Sequence, residues 1–453
     1  MQLPPLLQQY AFKYSGKLLT YHELKISRRI LDYLLQHQYL TITPGITEKL
    51  LFTTCNRCMN RQSHLFGKIP SKKNFIIYCK NCIQMGRVST NEPLYKWSGP
   101  SVTNDQIKNP LHWKGELTSL QQKASESITN TIKLNNQVVI YAVCGAGKTE
   151  MLYQGIAEAI SHGKRVCLAT PRADVVKELA PRFRRDFPLL QIAALYGGTQ
   201  DQDHNAHLVL ATTHQLLRYQ QSFDVMIVDE VDAFPFHRDK TLPKAVNRAV
   251  KTKHARIYLT ATPRLDMKVK IALKKLPVVS IPMRYHGYPL PEPIFQSVFQ
   301  LEKKLTANKL PEKFKQWIRD RHQLQRRYLI FVPTIQLAEN LSKLLKGMPH
   351  VHAASPDRDY FIERFRGNRI RALITTTILE RGVTFPSIDV AVLQADHHVF
   401  DEAALIQIAG RAGRSADDPH GNVSFFYEQK TEAMVGALSY TENKNKEAKV
   451  WLE

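Results

Sequence analysis

Ala142-Val143-Cys144-Gly145-Ala146-Gly147-Lys148-Thr149 follows the apolar run Gln137 to Tyr141, and further along Val225-Met226-Ile227-Val228 runs into Asp229-Glu230-Val231-Asp232. The first stretch reads as a strand, a tight loop and a helix start. Its glycines let backbone N–H groups close around phosphate oxygens, and the helix N-terminus adds its positive end. On this reading Ala142, Val143, Cys144, Gly145, Ala146 and Gly147 wrap the phosphates of ATP, Lys148 faces the β and γ phosphates, and Thr149 ligates Mg²⁺. In the second stretch a buried apolar strand delivers two acids at its C-terminal tip. Asp229 is expected to hold the metal, while Glu230 positions or deprotonates the attacking water. Ala142 stands where the common loop pattern has its first glycine, so that pattern is matched incompletely.

Around these stretches, strands and helices alternate. Gln137 to Tyr141, Arg165 to Ala169, Ile192 to Leu195, Leu208 to Thr212, Val225 to Val228 and Arg256 to Thr260 read as short buried strands. After a stiff linker marked by Pro282, Pro289, Pro291 and Pro293, a second alternating unit has strands near Tyr328 to Val332, Ala372 to Thr375, Val390 to Leu393 and Asn422 to Phe426. The pattern predicts an α/β fold with two parallel-sheet domains in tandem and a cleft between them. The expected organisation is a helical N-terminal segment (1–50) with an apolar stripe of Ile26, Ile30, Leu31, Leu34 and Leu35, then a cysteine-bearing module (51–98). A first ATP-binding domain (112–282), a linker (283–298) and a second domain (299–453) follow.

The chain has 453 residues and a formal charge of +23, with the basic excess spread over every region. Such a surface favours polyanions, nucleic acid first and an anionic membrane face second. No apolar stretch is long enough to span a bilayer, and Met1 to Ser15 lacks the order of a secretory leader, so a cytoplasmic protein is expected.

Six cysteines in so long a chain do not make a disulfide scaffold. Cys55-x-x-Cys58 and Cys79-x-x-Cys82 instead present four thiolates on two knuckles, the spacing of a closed structural zinc site. Arg57, Arg61, Lys68, Lys72, Lys73, Lys80 and Arg87 surround it, with Phe66, Phe75 and Tyr78 interleaved. The segment reads as a small nucleic-acid-binding module whose fold depends on metal. A zinc-stapled docking surface for a protein is the alternative. Cys144 and Cys167 read as small buried residues.

Later motifs select among the classes of phosphate-loop protein. Leu117-Thr118-Ser119-Leu120-Gln121 resembles the glutamine motif with which helicases of the second superfamily read adenine, which assigns that contact to Gln121. Thr260-Ala261-Thr262-Pro263 resembles their coupling motif, and Gln407-Ile408-Ala409-Gly410-Arg411-Ala412-Gly413-Arg414 resembles their arginine-finger helix. This resemblance implies two RecA-like domains, with Gln407 at the nucleotide. Arg411 and Arg414, three apart, would reach the γ phosphate from one helical face. Strand-end residues Pro171, Arg172, Thr212, Thr213, Thr334 and Thr376 suit sequence-independent contacts to a strand backbone, with helix capping the alternative for each threonine. Glu380-Arg381-Gly382-Val383-Thr384 resembles the motif that links nucleotide to the strand track, although Thr384 stands where many relatives carry an acid. His237, His397 and His398 read as polar surface residues.

A narrower resemblance rests on Asp229-Glu230-Val231-Asp232-Ala233-Phe234-Pro235, on Arg284-Tyr285-His286-Gly287-Tyr288-Pro289-Leu290-Pro291, on Leu379 to Thr384, and on the four-cysteine module ahead of the motor. These are similar to the ComFA family of late-competence DNA uptake ATPases. The resemblance implies a translocase that hydrolyses ATP to draw single-stranded DNA into the cytoplasm, peripheral at the inner face of the membrane. Its implied partners are a competence protein with a phosphoribosyltransferase-like fold and the membrane uptake channel, and a homo-oligomer stays open. Two other readings share the motifs: a primosome-type replication restart helicase, and an ATP-gated DNA-binding adaptor that moves nothing.

Overall fold

Val166–Thr170 and Leu208–Thr212 are buried along their whole length, as are Arg327–Phe331, Ala372–Thr375 and Ile388–Leu393. Apolar runs without polar alternation cannot face water on either side, so they end in the middle of parallel sheets covered by helices. The computed structural model describes residues 4–71, 75–236 and 238–451 and contains two such sheets. Lys72, Lys73 and His237 lie outside the described residues.

The first sheet has seven strands, in the order Ile192–Leu195, Leu208–Thr212, Val166–Thr170, Phe223–Val228, Val250–Thr260, Gln137–Ala142 and Val278–Ile281. Its first four pairings are parallel. The second sheet has six strands, Ile294–Ser297, Val423–Tyr427, Ile388–Leu393, Arg327–Phe331, Ala372–Thr375 and His350–Val351, all paired in parallel. Every strand read from the sequence is present. Val278–Ile281, Ile294–Ser297 and His350–Val351 are additional, and each lies at or beside a sheet edge. Ile294–Ser297 falls in the stretch that the prolines marked as linker.

The first fifty residues are not simply helical. Helices Pro5–Tyr14, Tyr21–Leu24 and Arg28–Gln36 are followed by strands Leu40–Thr43 and Ile46–Lys49. Leu31 and Leu34 of the expected stripe are buried, and Ile26, Ile30 and Leu35 pack against the same cluster. Leu18–Leu19 and Leu40–Thr43 both pair antiparallel with Leu94–Trp97. The beginning of the chain and the end of the cysteine segment therefore share one small sheet.

The chain divides into two compact units: Met1–Ile140 with Thr149–Val279, and Tyr141–Lys148 with Ser280–Glu453. Within the first, a hydrophobic cluster runs without a break from the four knuckle cysteines through Leu18 and Ile46 to Leu216, Leu217, Phe223 and Met226 of the large sheet and its connections. Beside it Asp203, fully buried, accepts hydrogen bonds from Arg165 Nη2 at 2.6 Å and Tyr219 Oη at 2.7 Å, and lies 3.3 Å from Lys17 Nζ. Burial alone would push this carboxyl up, but Arg165 and Lys17 hold it well below the usual carboxylate range.

Candidate nucleotide and nucleic-acid site

The strand Gln137–Ala142 leads through a loop into the short helix Lys148–Met151. Ala142 ends the strand with its methyl fully buried, so a side chain is accommodated where the common pattern has glycine. Gly145 and Gly147 have φ of +80° and +72°, a region that L side chains rarely adopt, which is why the loop needs glycine at both. Lys148 Nζ donates to the carbonyls of Ala142 at 2.8 Å and Val143 at 3.1 Å, so the loop is cinched by the cation that would meet phosphate.

Residues 141–148 are held by neighbours within their own unit. Val143 N donates to Ile281 O, and Tyr285 N to Gly145 O. Cys144 Sγ donates to Gln407 Oε1 at 3.0 Å, and a Cβ built on Gly410 would stand 2.4 Å from Cys144 Cβ. Gln407 thus reaches the phosphate loop, and Gly410 is glycine because Cys144 occupies the space of a side chain. Arg284, which the sequence placed only in a linker, is buried here. It donates to Ala412 O, to Pro289 O at 3.4 Å and to Pro419 O at 3.3 Å. Burial, then the neighbouring Arg414, lowers its pKa to about 10.

The arginine pair does not share a helical face. The helix Glu402–Ala409 stops before it, and residues 410–413 form turns. Arg411 is buried, and its guanidinium donates to the carbonyls of Glu380, at 3.0 Å from Nε, and Val383. It braces the Glu380–Thr384 segment from within. Arg414 is partly exposed, with Nε donating to Gly410 O at 2.8 Å.

In the first unit, Asp229 and Glu230 follow the strand Phe223–Val228 as the sequence predicts. Asp229 N donates to Ala169 O, and Asp229 Oδ1 accepts from Glu230 N at 2.9 Å. Glu230 has φ +52°, so the backbone bends sharply at the acid expected to meet water. Asp232, given no role by the sequence, is buried and accepts from Thr260 Oγ1 at 2.6 Å and Thr262 Oγ1 at 2.7 Å. One carboxylate joins the acidic strand end to the coupling motif. Gln121 is buried in a reciprocal cap of the helix Ser119–Leu134, its Oε1 accepting from Thr118 N at 2.9 Å.

The strand-track candidates divide. Thr334 caps a helix, its Oγ1 accepting from Leu337 N at 3.1 Å, which is the capping alternative realised. Thr212 and Thr213 are buried where a strand meets the short helix Thr213–Arg218, and Pro171 is buried. Arg172 and Thr376 are partly exposed.

The sulfurs of Cys55, Cys58, Cys79 and Cys82 all lie within 4.8 Å of one another, with 3.8 Å between Cys55 and Cys82 and 3.4 Å between Cys58 and Cys79. A tetrahedral zinc with Zn–S of about 2.3 Å sets its sulfurs roughly 3.8 Å apart, so the four thiols fit that ion. Arg57, counted among the surface cations from the sequence, is instead fully buried, with Nη2 2.7 Å from Glu23 Oε1. The same oxygen accepts from Arg218 Nε at 2.5 Å, and Arg248 donates to the carbonyls of Asn56 and Arg57. The knuckle is therefore wedged against the helix Thr213–Arg218. Arg61, Lys68, Lys80 and Arg87 stay exposed, with Arg61 over the Phe52 ring and Lys68 over Phe75.

Known proteins bear on this geometry in three ways. Residues 7–96 match the model of the competence protein ComFA N-terminal domain, 114–265 that of the type III restriction enzyme res subunit, and 309–416 that of the helicase conserved C-terminal domain. The competence protein ComFA of Bacillus subtilis (strain 168) is 42% identical over 93% of this chain and 92% of that protein. Its counterpart from Streptococcus pneumoniae (strain ATCC BAA-255 / R6) is 40% identical over 82% and 86%. Among solved structures, Mycobacterium smegmatis helicase Lhr bound to ssDNA and AMP-PNP superposes with a TM-score of 0.53 at 18% identity, covering 73% of this chain and 50% of that one. S. cerevisiae Dbp5 bound to RNA and ADP BeF3 superposes with 0.51 at 17%, covering 72% and 91%. Both share the fold. With the cysteine domain, both parallel sheets and the phosphate loop all accounted for across nearly the full length of such relatives, the chain belongs to the ComFA family, as a competence-related DNA-dependent ATPase of the helicase class.

Proposed function

We propose that this ATPase is a translocase that draws single-stranded DNA into the cytoplasm during natural competence. The observation that carries the reading is the phosphate loop cinched by Lys148, in a chain whose relatives are competence proteins over nearly their whole length. Lys148 leaves the Ala142 and Val143 carbonyls to neutralise the β and γ phosphates of ATP. Thr149 and Asp229 supply oxygen ligands for Mg²⁺, and Glu230 orients the attacking water. Gln121 reads the adenine, and Gln407 lies beside the loop. Arg414, the more exposed arginine, stabilises charge developing on the γ phosphate, and Arg411 holds the Glu380–Thr384 segment in place. Arg172 and Thr376 contact the strand backbone, with Pro171, Thr212, Thr213 and Thr334 shaping the elements beneath them.

Zinc in the four-thiolate cluster fixes the two knuckles against one another. Among the described residues no helix is long and apolar enough to cross a membrane. In this reading the chain meets the uptake channel peripherally. A competence protein with a phosphoribosyltransferase-like fold and further copies of this chain complete the proposed assembly.

The test is ATP hydrolysis with single-stranded DNA, duplex DNA and single-stranded RNA at matched salt, followed by displacement of streptavidin from a biotinylated single strand. Stimulation by single-stranded DNA and ATP-dependent clearing of the block are expected. Stimulation without clearing would leave an ATP-gated adaptor, and stimulation by RNA alone would sink the uptake reading.

A further inference from the structure

Within the first unit, a cavity of about 370 Å³ opens where the N-terminal domain meets the large sheet. Lys13, Lys25, Glu23, Gly198, Asp203 and Arg218 are among the residues that line it. The acids there are already answered: Glu23 by Arg57 and Arg218, Asp203 by Lys17 and Arg165, and Asp201 by Arg184. The two lysines are not. Neither Lys13 nor Lys25 has an ion pair with a carboxylate among the described residues, and the Lys13 ammonium has only the Tyr14 ring, 5.4 Å away. Both side chains line the same cavity, and burial, then the charge of Lys25, lowers the Lys13 pKa. An anion bound in this cavity would offset the positive charge of both lysines.

Gly197 and Gly198 also line the cavity and present open backbone. Nothing stands within 4 Å of where a Cβ would project from Gly197 or Gly198, so a bulky group can approach the main chain there. Gln215 and Arg218, from the helix that begins at Thr213, continue the lining. The cavity is thus lined in part by the helix that starts at Thr213, one of the candidate DNA-track residues.

We propose that Lys13 and Lys25 form a phosphodiester-binding site by which the N-terminal domain grips the single strand beside Gly197 and Gly198. This rests on the single-stranded-DNA reading above and adds a contact that the two parallel-sheet domains do not supply. The Glu23 carboxylate, shared by Arg57 on the cysteine knuckle and Arg218 on the helix Thr213–Arg218, also lines the site.

The test is binding of a fluorescein-labelled oligo(dT) by fluorescence anisotropy across a salt series. Each phosphate contact contributes about 0.7 to the slope of log affinity against log salt for single strands. Lys13→Ala/Lys25→Ala should therefore weaken binding at low salt and reduce the slope by about 1.4. Lys13→Arg/Lys25→Arg should retain both, which a merely structural role for the two side chains does not predict. If the double alanine variant melts early, Lys25→Gln alone, at an exposed position, should still reduce the slope by about 0.7. An unchanged slope in a protein that binds oligo(dT) overturns the site while leaving the motor intact. Loss of inorganic pyrophosphate binding with an unchanged oligo(dT) slope would make this a small-anion pocket and also overturn it. No oligo(dT) binding by the unaltered protein would instead remove the single-stranded-DNA reading itself, and the site with it.

Discussion

The Cys144 thiol donates to the Gln407 side-chain oxygen across 3.0 Å, which joins the phosphate loop to the segment that ends in Arg411 and Arg414. Gly410 lies under the same thiol, with 2.8 Å between its notional Cβ and Cys144 Sγ. Gly410→Ala should therefore destabilise the protein by roughly 1–3 kcal/mol through overpacking, and Cys144→Gly in the same chain should recover much of it. Urea melts of the two single variants and the double variant measure this. Additive losses would mean that the two positions do not meet.

Lys148→Ala should lower ATP turnover by about two to three orders of magnitude, because the variant loses a preorganised cation at the γ phosphate. Single-stranded DNA affinity without nucleotide should change little, since Lys148 is occupied with the carbonyls of its own loop. Parallel loss of both activities would tie Lys148 to the DNA track instead.

Asp232 is the acceptor for two hydroxyls, one of them on the buried Thr260. Asp232→Ala leaves Thr260 Oγ1 without its acceptor and should cost about 1–3 kcal/mol. Asp232→Asn keeps one oxygen and should cost less. Because this carboxylate links the acidic strand end to Thr260–Thr262, the alanine variant should also lose the stimulation of hydrolysis by DNA more than its basal rate. Equal loss of both rates would show that the link does not couple them.

Much of this was legible in the chain because it is local. The central strands are continuous apolar runs, the phosphate loop carries its glycines at fixed offsets, and the four cysteines announce themselves by spacing. What the sequence hid depends on distant partners. Arg57 reads as a surface cation until Glu23, Arg218 and Arg248, all remote in sequence, are seen to enclose its knuckle. Arg411 and Arg414 read as one helical face, yet the helix stops at Ala409, where Gly410 packs on Cys144. Ile294–Ser297 follows a proline-rich stretch and pairs only with Val423–Tyr427, so no local alternation marks it as a strand. Asp232 had no visible role because its hydroxyl partners, Thr260 and Thr262, arrive at and just beyond the end of the next strand of the sheet.

Asp203 makes the first unit sensitive to acid. Its folded pKa is depressed by Arg165 and Lys17, so the stability it contributes is fully present above the ordinary aspartate value of about 3.9 and is lost as pH falls toward the folded value. Asp203→Asn leaves two cations buried without their counter-charge and should cost about 3–5 kcal/mol at neutral pH. Urea midpoints from pH 7 to pH 3 should fall more steeply below pH 4 for the unaltered protein than for the asparagine variant. Parallel curves would place the acid sensitivity elsewhere.

Removal of the proposed zinc should not stay local. The four cysteines share one hydrophobic cluster with Leu216, Leu217 and Phe223 of the first unit, and Arg57 between two of them is tied through Glu23 to Arg218. A metal-free cluster leaves four thiols with nothing to hold them in a tetrahedron, so the knuckle loosens and Arg57 loses its fixed position. Its pull on Glu23 then relaxes, and the helix Thr213–Arg218 loses one of its braces. Hydrogen exchange after treatment with a zinc chelator should therefore quicken at Leu216 to Phe223 as well as at the knuckles. Exchange that quickens only between Ile46 and Val88 would mean that the module is carried by the motor without supporting it.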